Sequence, residues 1–144
     1  MKILKQILKA VAIGAGAGVD VQAVEIDLQQ LGVKSREFIV TGKTVTHAVT
    51  APGAAKTFKV NIYFSDEKVA LASVAAQLAD RKVASNAKTL TNTANTTQYW
   101  EFAQFGVLRP KARYLYVTID NDAVTAAFNL TLNAVRVPST HPKE

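Results

Sequence analysis

The residues of this chain best equipped to recognise another molecule are aromatic. Tyr99, Trp100, Phe102 and Phe105 fall within the run YWEFAQF, and Tyr114 and Tyr116 follow shortly after. Flat π faces of this kind stack on sugar rings and on nucleobases. Tyr99, Trp100, Tyr114 and Tyr116 are therefore the candidate stacking residues for a glycan. Parity sets a competing use. In a strand Trp100 and Phe102 share one face and Tyr99 takes the other, so Trp100 and Phe102 read as core.

Other reactive groups are sparse. His47 stands alone on a strand-like stretch, with no Asp, Glu or second His at ligand spacing, and reads as a surface or hydrogen-bonded residue. His141 belongs to the terminal STHPKE, read as a flexible end. Asp120-Asn121-Asp122 lacks the following Glu and the ligand number of a calcium loop, so a hydrogen-bonding turn is the expected role. There is no Gly-rich phosphate loop and no nucleophile-elbow Ser. Without Cys there is neither a disulfide framework nor a thiolate metal site. No catalytic residue, metal ligand or cofactor is expected, and the chain reads as a non-enzyme.

The 144 residues suffice for one domain with one core. Hydrophobic residues at 49% and charged ones at 19% place it among globular chains. A net charge of +6 is spread along the whole sequence, in groups such as Lys2, Lys5, Lys9 and Arg109, Lys111, Arg113. That balance favours polyanions, but no interleaving of basic and aromatic residues accompanies it, so nucleic acid is disfavoured as a partner.

The elements that must carry these residues are mostly strands. KARYLYVTIDN, 111–121, alternates Arg113, Leu115, Val117 and Ile119 against Tyr114, Tyr116 and Thr118. TFKVNIYFS sets Phe58, Val60, Ile62 and Phe64 on one face, and it is expected to pair with the 112–120 strand. FIVTGKTVTHAVT reads as a strand, a turn at Gly42 and a second strand. Between Val19 and Leu28 the apolar parity changes, so a bulge lies near Ala23 or two short strands meet there; Gly32 marks a turn over 29–34. The stretch 84–98 is an exposed loop or an edge strand. The last strand, 127–137, carries Phe128, Leu130 and Leu132, then shifts parity as if bulged near Ala134. In 66–82 the apolar spacing turns helical, with Ser65 or Asp66 available as a cap. One inserted helix is expected there, or a long loop with a short strand.

At the start, KILKQILKAVAI places Ile3, Leu4, Ile7, Leu8 and Val11 on one side of a helix and lysines on the other. The outline also resembles a signal peptide ending near Val21-Gln22-Ala23, but Lys9 interrupts the apolar run. A transmembrane span is excluded because the uncharged run 10–19 is about half of the roughly 20 residues a bilayer requires. Gly14, Gly16 and Gly18 would form a hinge. The expected organisation is an amphipathic helical arm and hinge over 1–18, a sandwich domain over 19–138 and a tail over 139–144. Ile3, Leu4, Ile7, Leu8 and Val11 would form a subunit contact; packing on the chain's own core and docking on a membrane surface are the alternatives that rank behind it.

Together these runs describe a mainly β, two-sheet antiparallel β-sandwich or jelly-roll-like domain. KTFKVNIYFSDE, YWEFAQFGV, KARYLYVTIDN and NLTLNAVRV, across 56–137, resemble the small β-sandwich modules of tailed-bacteriophage virions. The resemblance implies a non-enzymatic virion component, from capsid, decoration or tail, present in many copies. Its partners would be copies of itself and other virion proteins. A carbohydrate-binding or receptor-binding module is the alternative.

Overall fold

A computed structural model of the protein describes residues 3–18, 23–27, 37–109 and 112–136. The turn expected over 29–34 and the tail 139–144 with His141 lie outside them. The described chain is a sandwich of two antiparallel sheets. One has the order β1 (Ile3–Ile13), β9 (Phe128–Arg136), β4 (Phe38–Val45), β7 (Thr97–Glu101). The other has β8 (Tyr114–Val124), β5 (Thr57–Ser65) and β6 (Lys82–Thr89) in that order. On the free side of β8 lie two short strands, β2 (Gly16–Gly18) and β3 (Ala23–Asp27). Of the two, only β3 falls within 19–28, where the parity change called for a bulge near Ala23 or two short strands; β2 precedes that range, and 19–22 lie outside the described residues.

Alternation builds the core as expected. Phe58, Val60, Ile62 and Phe64 of β5 meet Leu115, Val117 and Ile119 of β8 in one buried cluster with Phe38, Phe128, Leu130 and Leu132 from the facing sheet. The β5–β8 register runs unbroken from Phe58 opposite Asn121 to Ser65 opposite Tyr114.

The helix expected at the start is instead β1, hydrogen-bonded antiparallel to β9. Three register shifts, between Ile3 and Lys5, Gln6 and Leu8, and Leu8 and Val11, explain how helix-like spacing fits a strand. Each bulge inserts an extra residue and resets which side chains face inward, so apolar positions three or four apart still reach one face. At the last shift Ala10 adopts φ 47°, and its N–H donates to Thr131 Oγ1 at 3.1 Å instead of joining the ladder.

The glycine hinge is a crossing between sheets. The chain leaves the first sheet at Ile13 and enters the second at Gly16, whose φ of 92° suits only glycine. Asn121 fastens the crossing, its Nδ2 donating to Gly14 O and to Gly16 O (3.1 Å). The turn expected at 120–122 is accordingly absent, because β8 continues to Val124.

Gly42 is likewise no turn. It sits inside β4 at a close approach to β9, where an added Cβ would lie 2.6 Å from Thr131 O. Beyond it Thr44 and Thr46, not the valines, point inward. Thr46 Oγ1 donates to Thr93 O at 2.7 Å and accepts from Thr96 N at 2.8 Å. In β9 no bulge occurs near Ala134, for its register with β4 is continuous and the irregularity lies on β1.

The inserted helix is short. α1 (Val74–Gln77) is flanked by 3-10 turns at Leu71–Ser73 and Ala79–Arg81. Ser65 does not cap it but closes a local turn, its Oγ accepting from Glu67 N at 3.1 Å. Val74 and Leu78 pack with Tyr63 and Tyr116, so the segment roofs the outer face of the second sheet. The stretch 84–98, expected as an exposed loop or an edge strand, holds both: its residues up to Thr89 belong to the edge strand β6, 90–96 are loop, and Thr97 begins the edge strand β7. Among the described residues no helix is long and apolar enough to cross a membrane.

Candidate functional site

The four candidate stacking residues do not converge. Tyr99 and Trp100 lie on β7 of the first sheet, and Tyr114 and Tyr116 on β8 of the second. Tyr116 is wholly buried beneath α1, its phenolic oxygen accepting from Val69 N at 2.8 Å and donating to Glu25 Oε2 at 3.3 Å. Burial pushes its phenol above the usual tyrosine range, and the Glu25 carboxylate adds to that, while the Val69 N–H acts against it. Tyr114 is half-buried against it, ring centroids 6.2 Å apart. Trp100 turns inward as its parity requires. It meets Phe58 edge-on at 5.9 Å and donates from Nε1 to Thr44 Oγ1 at 2.9 Å. Tyr99 alone of the four faces solvent, 79% exposed.

The proposed subunit-contact residues are mostly spent within the domain. Ile7 and Leu8 belong to the buried core and Val11 packs against it, while Ile3 and Leu4 lie earlier on β1, Ile3 opposite Val135. The apolar groups of Ile7, Leu8 and Val11 are thus taken up by the domain's own core. His47 is a hydrogen-bonded loop residue, its Nδ1 accepting from Val49 N (3.2 Å) and Thr50 N (3.1 Å). Among the described residues no three His, Asp or Glu side chains gather as a metal site would require.

Around Tyr99 the register assembles a site that composition did not show. Gln6 is paired with Asn133, Asn133 with Thr41, and Thr41 with Glu101, a single row running across all four strands of the first sheet. The adjacent row joins Thr131 to Lys43 and Lys43 to Tyr99. These two rows line a groove of about 580 Å³ on the outer face. Its walls offer amide, hydroxyl, ammonium and carboxylate groups beside one exposed aromatic ring. Asn133 Oδ1, buried in its floor, has no hydrogen-bond partner. Gln6, Thr41, Lys43, Glu101, Thr131 and Asn133 were missed as site residues. The outward parity of Thr41 and Lys43, of Tyr99 and Glu101, and of Thr131 and Asn133 was the available signal, but only the pairing of strands joins them.

No family model matches the chain, and no curated protein matches it. Solved structures similar to it include the CBM22-1 xylan-binding domain of Paenibacillus barcinonensis Xyn10C, at 14% identity and TM-score 0.46, covering 86% of this chain and 71% of that one. A xylan-binding domain from CBM 22 is 12% identical with TM-score 0.45, covering 81% of this chain and 66% of that one, so this chain spans just under two thirds of its length. A structure of the Israeli acute paralysis virus particle is 12% identical with TM-score 0.43, covering 95% of this chain and 74% of that one. At these identities and scores the similarities carry nothing about ligands.

Proposed function

We propose that this chain is a non-catalytic carbohydrate-binding β-sandwich module whose ligand lies across the outer face of the first sheet. The observation that carries the reading is the pair of cross-strand rows, which set the exposed Tyr99 ring beside Gln6, Asn133, Thr41 and Glu101 in one groove. A sugar presents an apolar ring face and a rim of hydroxyls that both donate and accept. The first suits an aromatic plane, and the second suits amides and a carboxylate. Side chains on hydrogen-bonded strands are held in place before the ligand arrives, which lowers the entropic cost of binding.

A glycan array with the full chain, followed by calorimetric titration of the best hit, tests this. Tyr99→Ala should weaken binding by about tenfold or more without unfolding the chain, because the ring is exposed. An array without hits, or equal affinity after the substitution, overturns the reading.

A role in a virus particle is the second reading, as a capsid, decoration or tail subunit with copies of itself as partners. Beside the resemblance over 56–137, it draws on the outer edge of β7, which pairs with β4 alone among the described strands. Such an edge can add a strand from another chain. Native mass in solution tests it, a monomer at all concentrations counting against it.

A further inference from the structure

A second groove, sharing no lining residue with the first, opens where β5 ends and β6 begins, and it too measures about 580 Å³. Phe64, Phe105 and Leu108 form its apolar floor, each nearly buried. Val83 and Val107 stand on its walls, 44% and 47% exposed. Only five large hydrophobic residues are exposed among those described, so finding two of them facing one cleft marks a surface that gains by being covered. Its charged lining is Asp80, Arg81, Lys82 and Arg109. Arg109 Nε is bound to Glu37 Oε1 at 2.7 Å, whereas among the described residues Arg81 and Lys82 make no ion pair.

The walls are fixed. Leu108 and Phe38 exchange two backbone hydrogen bonds (2.7 and 2.9 Å), and Phe105 N donates to Phe102 O at 3.0 Å. On the opposite side Arg81 N donates to Leu78 O at 2.8 Å. A cleft of this size with an apolar floor and a small number of polar groups is the usual form of a small-molecule site. Its occupant must have a hydrocarbon part to cover the floor and a negative head to meet the two cations without an ion pair.

We propose that this groove binds an aliphatic monocarboxylate, with its chain on Phe64, Phe105 and Leu108 and its carboxylate between Arg81 and Lys82. The full chain titrated with decanoate in the calorimeter tests it. Octyl glucoside, titrated into the Tyr99→Ala variant so that its sugar cannot stack in the first groove, serves as a tail without charge, and inorganic phosphate as a charge without a tail. Decanoate should saturate one site at least about tenfold more tightly than octyl glucoside, and phosphate should not compete. The double variant Arg81→Ala/Lys82→Ala should lose about tenfold, and Val107→Asp a similar factor. All three positions are exposed, and circular dichroism should report an unchanged fold. Tyr99→Ala should leave decanoate binding unchanged, which separates this site from the glycan groove. Equal affinity for decanoate and octyl glucoside, competition by phosphate, unchanged binding in the double variant, or no saturable decanoate binding would each overturn the proposal.

Discussion

Tyr116 shows how one side chain can be diverted from recognition to architecture. Its ring closes a small cluster with Tyr63, Val74 and Leu78, and its hydroxyl joins the Val69 backbone to Glu25 of β3. Ionising the phenol would put a negative charge in that buried place beside Glu25, so the folded state favours the neutral form and the pKa is raised. The sign of the pH effect follows. The stabilisation is complete below the ordinary tyrosine value of about 10 and is lost as pH rises through the higher folded value. Tyr116→Phe should cost about 0.5–1.5 kcal/mol at neutral pH, because Val69 N–H loses its acceptor. Above pH about 10 its stability should fall less steeply than that of the wild type. Urea unfolding at several alkaline pH values measures both, and parallel curves would show that Tyr116 is not the titrating group. Nothing in the alternation of β7 and β8 distinguished Tyr116 from Tyr99. The difference arises because α1 covers one outer face and leaves the other open.

Strands were legible wherever the apolar residues kept a period of two, as in β5 and β8, and obscure wherever bulges or close packing broke it. β1 carries apolar residues at helical spacing, and isolated propensity would make it a helix. Pairing with β9 prevails because it completes a sheet and buries Ile7, Leu8 and Ile13. Gly42 misleads in the same way. A glycine between apolar runs is normally a turn signal, but here it lets β4 run past the Thr131 carbonyl and the Phe102 ring, 2.6 and 3.1 Å from where a Cβ would stand. Gly42→Ala decides whether that space is needed. The substitution gains about 0.4–1 kcal/mol by restricting the unfolded chain. Against it stands the overpacking cost, about 1–3 kcal/mol, and the nearest obstacle is backbone rather than a movable side chain. Net destabilisation is therefore expected, read as a lower urea midpoint with an unchanged slope. Unchanged or increased stability would mean that β4 and β9 separate easily at this point. The same register carries the glycan groove, which is why its residues could not be picked from the sequence. Gln6 and Glu101 are far apart along the chain and share a row only once four strands are in place.

At the scale of the whole molecule, residues 3–18 tie the sandwich together. β1 forms an edge of the first sheet, β2 pairs with β8 in the second, and Asn121 grips the carbonyls of Gly14 and Gly16 between them. An arm held apart from the domain could be removed harmlessly; a strand whose Ile13 is fully buried and whose Leu8 is 2% exposed cannot. Full burial of each such side chain is worth about 1.5–3 kcal/mol. Losing Ile7, Leu8 and Ile13 together would therefore remove much of the about 5–15 kcal/mol by which a domain is stable. Their departure would also uncover Phe128, Leu130 and Leu132 and leave the β9 backbone unpaired along one side. Deletion of residues 1–18 should accordingly give an aggregated or unfolded product, seen as lost cooperativity in thermal unfolding and as void-volume elution in size exclusion. A soluble, cooperatively folding truncation would show instead that β9 closes the sheet alone, returning the segment to the role of a detachable arm free to reach a neighbouring subunit.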